Sequence, residues 1–238
     1  MADLETREGW SFVPPRELYG QRLAGKEALK RWRFEQRAQT AAASLAKNGF
    51  EALYVPGREA ARAEILARVP ANAAVGVGGS ITIRELEVLD VLRSKGHTCF
   101  DHWTPGMTQE ELLACRRAQL TSDVFLSSVN AVTLQGQLVS TDGVGNRVAA
   151  MVFGPPKVIL VAGAQKIVSD LDAAFKRVKD VCAPLALRDT AAQTPCVQTG
   201  VCGHCKTGVR MCRATLILEA KPMFTDVTVL IVGEELGF

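Results

Sequence analysis

The chain predicts an α/β fold: a mostly parallel sheet with helices on both faces, preceded by an N-terminal helical extension. Three observations lead there. Short apolar runs alternate with amphipathic helical segments between residues 51 and 128, the pitch at which crossover helices join parallel strands. The longest apolar runs, 158–164 and 227–232, have strand length and fall far short of a membrane span. At 238 residues, 47% hydrophobic and 22% charged, the composition is globular and the chain is long enough to bury a large core.

The elements follow in order. Residues 1–49 read as helix: 16–34 are charged with only Gly20 and Gly25 interrupting, and 35–47 are Ala-rich before a stop at Asn48-Gly49. Strands are expected at 51–55, 73–77, 97–101 and 123–128, with helices at 58–69, 81–95 and 108–120 between them. Residues 130–140 alternate around Gly136, which predicts a β-hairpin turning at Gln135-Gly136-Gln137. A polar turn at 141–147 leads into a short helix, 158–163 return to strand, and 168–181 have helical periodicity. After a cysteine-rich loop at 195–213, strands at 214–220 and 226–232 close the chain. No repeat or low-complexity linker appears, so residues 50–238 are expected to form one domain behind the extension at 1–49.

Composition also excludes function classes. A net charge of +3, with no Lys/Arg stripe interleaved with aromatics, argues against a nucleic-acid partner. The N-terminal MADLETREGW lacks a basic segment followed by an apolar core, so no signal peptide is expected. A cytoplasmic protein without membrane association is the expectation.

Four of the seven cysteines fall within seventeen residues: Cys196, Cys202, Cys205 and Cys212. A short loop with a C-x2-C core can turn four soft sulfurs toward one ion. Two disulfides would suit an oxidising compartment and a smaller chain, and reactive or redox thiols are a further reading. The C-x5-C-x2-C-x6-C spacing is nearer to loops that wrap a [4Fe–4S] cluster than to paired zinc knuckles, although it matches no standard ferredoxin; zinc is the alternative. Lys206, Arg210 and Arg213 would offset thiolate charge, and His204 is placed as a supporting group outside the four sulfurs.

Two polar segments suggest a ligand site. Gly78-Gly79-Ser80 falls between a buried strand and a helix, where glycines let backbone N–H groups approach an anion. Thr82 and Glu85 have the spacing of a capping box. The loop matches neither the dinucleotide nor the phosphate-loop pattern, and a plain tight turn is the competing reading. Asn130, Asp142, Asn146 and Arg147 would bring a carboxylate and a cation to the sheet's C-terminal edge, where α/β folds bind ligands. Against that, Asp142 could simply cap a turn and Arg147 pair with a carboxylate. His97 and His102 read as strand-end or surface residues, and no Ser/His/Asp nucleophile arrangement is visible.

The segments VGVGGSITIRELEVLDVL, SSVNAVTLQGQLVSTDGVGNRVAAMVFGPPKVILVAGAQKIVSDLDAA and the terminal EELGF resemble the LUD-domain, or lactate-utilisation, family over about residues 20–238. That resemblance implies a fold similar to the sugar-phosphate isomerase and CoA-transferase group, with Gly78, Gly79 and Ser80 at the substrate's anionic end. The branch it is most similar to is the stand-alone one with a C-terminal cysteine cluster. The implied function is an enzyme or redox subunit that acts on a small carboxylate or phosphate in lactate or related hydroxy-acid utilisation, together with a redox partner protein. The alternative is a metabolite-sensing or assembly protein with a structural zinc site.

Overall fold

The protein is described from a computed structural model covering residues 25–206 and 208–238. The helix expected from residue 16 therefore lies partly, and the rest of the extension before residue 25 wholly, outside the described residues. Contacts divide the chain into two compact units, residues 1–33 and 34–238, and everything below concerns the second. No described helix is long and apolar enough to cross a membrane.

The main sheet has six strands: β1 (Glu51–Val55), β2 (Val75–Val77), β3 (Cys99–Asp101), β4 (Val124–Ser128), β7 (Lys157–Gly163) and β10 (Asp226–Val232). They run in the order β1-β10-β7-β4-β2-β3, and every neighbouring pair is parallel. Parallel strands buried on both faces need continuous apolar sequence, which is why 158–163 and 227–232 lack polar alternation. Successive side chains feed two cores. Val124, Leu126, Ile159, Val161, Leu230 and Val232 face one layer, against α2 (Arg58–Arg68), α3 (Ile81–Glu85) and α4 (Val88–Ser94). Phe125, Val158, Leu160, Val229 and Ile231 face the other, against Ala38, Ala41 and Leu45 of α1 (Lys26–Lys47). Burying these eleven strand side chains, at about 1.5–3 kcal/mol each, is the main force holding the layers together.

A second sheet of four strands, in the order β8-β5-β6-β9, shares that second core. It comprises the hairpin β5 (Ala131–Thr133) and β6 (Leu138–Asp142), with β8 (Ile167–Val168) and β9 (Ala214–Leu218) at its edges. The hairpin turns at Gly136 as its sequence predicts.

Two helices depart from expectation. The segment 81–95 is not one helix: it breaks at Leu86-Glu87, where Glu87 takes a left-handed φ of 52°, and the two short helices thereby both turn apolar residues into one core. The segment 168–181 begins later, at α7 (Leu171–Arg177), capped by Asp170, widens into a π turn (Val178–Cys182), and continues as α8 (Ala183–Asp189). Pro184 has no N–H to offer the preceding turn, and widening the helix there accommodates the missing bond.

The order of strands creates a switch point. From β2 the chain crosses outward to β3, returns through α5 (Gln109–Gln119) to β4 on the other side of β2, and then moves away to β7 and β10. The connections leaving β2 and β4 thus run in opposite directions, which opens a crevice at the carboxyl ends of these neighbours.

Candidate functional site

Loops from the carboxyl ends of β2, β4 and β7, with residues 178–190 across from them, line an open cavity of about 180 Å³ at that switch point. This is below the roughly 300–1,000 Å³ of sites for drug-sized ligands, so it suits a small metabolite. Of the residues singled out from sequence, Gly79, Ser80, Asn130 and Arg147 line the cavity; Gly78, Asp142 and Asn146 do not.

Arg147, at the start of α6 (Asn146–Val152), is engaged inside the protein. Its Nε donates to Asp142 Oδ1 at 2.8 Å, Nη1 to the Ser128 carbonyl at 3.0 Å, and Nη2 to the Thr141 carbonyl at 2.8 Å and Asn130 Oδ1 at 3.3 Å. Asp142 Oδ2 accepts from the Val148 N–H at 3.1 Å, and Asn130 Oδ1 accepts from the Thr141 N–H at 2.8 Å. Four of the five guanidinium N–H groups therefore clamp the ends of β4 and β6 together. Asn146 is also internal, donating to Gln119 Oε1 at 3.0 Å. Gln119 Nε2 in turn donates to the Val77 carbonyl at 2.8 Å and lies 2.8 Å from His102 Nδ1. His102 is thus a strand-end residue, but buried rather than on the surface; burial, then the charge of Arg116, keeps its pKa below the usual value.

The capping arrangement also differs from the spacing-based expectation. Ser80 caps α3, its Oγ accepting from the Ile83 N–H at 3.3 Å. Glu85 instead accepts from the Gly237 N–H at 2.8 Å, and Thr82 is drawn into the cavity wall. The reason is tertiary: residues 234–238 fold across α3, where Gln165 donates to the Leu236 and Gly237 carbonyls and Phe238 borders the cavity. Gly237 is required there, because its φ is 60° and a Cβ would stand 2.3 Å from Thr82 Oγ1.

Lys166 escaped the sequence reading. It ends the 3-10 turn that follows β7, is 3% exposed, and donates from Nζ to Thr82 Oγ1 at 2.7 Å and Ser128 Oγ at 2.8 Å. Burial is the first cause that pushes it from the usual 10.5 down to about 7; Arg177 and Arg147 push the same way, while Cys182 and Glu85 oppose them. Cys182, in the π turn, also lines the cavity, and its Sγ accepts from Arg177 Nη1 at 3.1 Å. The available signal was modest: a lysine two residues after a strongly apolar run, hence near a strand's carboxyl end.

The cysteine loop borders the same cavity through Met211 and Cys212. It is fastened by the Arg213 N–H, which donates to the Asp142 carbonyl at 2.8 Å, and by the turn at Gly143, where a Cβ would stand 2.9 Å from the Met211 carbonyl oxygen. All four thiols are free; Cys196 is buried and the other three are half-buried. Among the described residues, no three His, Cys, Asp or Glu side chains stand close enough together to hold an ion. The thiols are nevertheless neighbours. Burial first, then Cys202 and Cys196, raise the Cys212 pKa, with Cys205 adding to them and Arg210 opposing. Charge repulsion reaches farther than a metal–sulfur bond, so Cys212 lies within range of the other three without a formed four-sulfur site; thiolates are the donor type that a thiophilic metal takes.

The fold has a solved counterpart in a DUF162 family protein from Deinococcus radiodurans, at a TM-score of 0.50 and 14% identity, covering 84% of this chain and 97% of that one. No curated protein matches the chain. The family model described as LUD domain matches residues 38–232.

Proposed function

The chain belongs to the LUD domain family, and on that premise we propose that it binds a small organic anion in the switch-point cavity. It does so as an enzyme or redox subunit in the use of lactate or a related hydroxy acid. In this reading Cys196, Cys202, Cys205 and Cys212 hold a metal centre, a [4Fe–4S] cluster with zinc as the alternative. One observation carries the reading: Cys212 borders the same cavity as Lys166 and Arg147.

The protein's own groups suit an anion. Arg147 is neutralised by Asp142 and Asp189 also borders the cavity, but a protonated Lys166, within reach of the Arg177 charge, offers an anion a positive partner. A carboxylate entering it would meet Nζ of Lys166 and the Thr82 and Ser128 hydroxyls. Because the anion favours the charged amine, binding above neutral pH would take up a proton. A bound cluster supplies one-electron transfer, to be passed on to a redox partner protein; zinc would serve only to fix the loop.

Anaerobic purification with metal analysis and a visible spectrum tests the centre. Brown protein containing iron and sulfide is expected, and Cys205→Ser should lose most of it. Colourless protein with one zinc per chain would replace the redox role by a structural one, and metal-free protein would end both. Thermal unfolding with lactate and other small hydroxy acids tests the cavity, since a ligand that binds only the folded state raises Tm.

A further inference from the structure

Lys166 has surroundings that a purely structural lysine does not need. Among the described residues it takes part in no salt bridge, and its hydrogen-bond partners are the Thr82 and Ser128 hydroxyls. A buried ammonium without a carboxylate is poorly compensated, and the Arg177 and Arg147 guanidinium groups make it worse. A neutral amine fits the same place: its two N–H groups donate to the two hydroxyls and its lone pair is left free. The amine also lines the cavity, beside the ends of β2 and β4.

We propose that Lys166 is a nucleophile that forms an imine with the carbonyl carbon of a small 2-oxo acid bound in the cavity. This rests on the small-anion reading of the site and names its ligand class. The nitrogen lone pair adds to the carbonyl carbon, the C=O π electrons move to oxygen, and a proton passes from nitrogen to that oxygen. Loss of water then breaks the C–O bond and leaves C=N. The Thr82 and Ser128 hydroxyls, 2.7 and 2.8 Å from Nζ, are placed to relay the proton. The Arg177 charge, which reaches Lys166, favours the carboxylate end of the ligand. With its pKa near 7, the amine is substantially neutral at physiological pH, the condition for attack. The titratable and charged groups that act on it are Cys182, Arg177, Arg147 and Glu85, and Asp189 and Cys212 also line the cavity. A hydroxy acid offers no such carbon, so the proposal separates oxo acids from their reduced counterparts.

The test is reductive trapping. Purified full-length protein at pH 7 is treated with pyruvate, glyoxylate or 2-oxobutyrate and borohydride, then digested and mapped by mass spectrometry. A reduced adduct on Lys166, roughly tenfold or more above that on any other lysine, is expected from the larger neutral fraction of its amine. It should be absent without oxo acid and in Lys166→Met, and the mapping in the unmodified sequence decides the matter should that variant fail to fold. Thermal unfolding with the same acids and with lactate separates the two readings. If the acids raise Tm but Lys166 carries no adduct, the imine is wrong and the anion site stands. If lactate gives no shift yet Lys166 is trapped, the imine stands and the hydroxy-acid role falls. With neither shift nor adduct, both are wrong.

Discussion

At Lys166 a buried titration is coupled to stability. The unfolded side chain keeps its proton up to about 10.5, while the folded one releases it near 7. Between these values the unfolded chain binds more protons, so raising the pH favours the folded state by an amount on the order of a few kcal/mol. Lys166→Met keeps the length and removes the titration. The variant should be more stable than the original at pH 6–7, the gap narrowing as pH rises toward 10; a constant gap across that range, read by chemical denaturation, would show that the amine is not depressed. Arg147 makes a different prediction. Its fork joins Asp142, Ser128, Asn130 and Thr141, with Arg147 and Asp142 side chains only 12% and 9% exposed. Lysine cannot reproduce that geometry, so Arg147→Lys should lower stability by about 2–4 kcal/mol through lost charged hydrogen bonds. An unchanged urea midpoint would mean that the clamp is not structural. Asn130, Asp142, Asn146 and Arg147 were legible as a polar cluster, but whether their bonds turned inward was not, because each can pair with backbone or with ligand.

Among the elements, the cysteine loop at 195–213 is held against the sheet at few points, and Gly143 is one of them. A Cβ at that position meets the Met211 carbonyl oxygen at 2.9 Å, backbone against side chain, so Gly143→Ala must displace residues 211–212. The expected outcome is reduced metal content with an unchanged far-UV circular dichroism spectrum; full metal loading in the variant would show that the loop does not depend on this contact. The same scale explains the helices that departed from expectation. Periodicity marked 81–95 and 168–181 as helical, yet it carried no sign of the left-handed Glu87 or of the π turn before Pro184. Both are set by what the flanking turns must bury, and the π turn is what brings Cys182 to the cavity.

For the molecule as a whole, the double burial of the parallel sheet predicts a gradient of local stability. β4, β7 and β10 are inner strands beneath both cores, whereas the described residues of 195–213 contain one five-residue helix and mostly exposed or half-buried side chains. Amide hydrogen exchange should therefore be slowest in 124–128, 158–162 and 227–232, opening only with global unfolding, and fast across 197–212 in metal-free protein. Metal binding should slow the loop without altering the strands. Equal exchange in the two regions would contradict the layered account.

The sequence by itself determined the α/β class, the strands of the main sheet and the hairpin at Gly136, because each depends on residues close along the chain: alternation, apolar run length and turn chemistry. The tertiary structure alone decided what the cavity is made of. Thr82 and Lys166 are 84 residues apart and Ser128 and Lys166 are 38 apart, and they meet because strand order places the ends of β2, β4 and β7 side by side. The depressed lysine follows from that meeting and from burial, neither of which has a local signature.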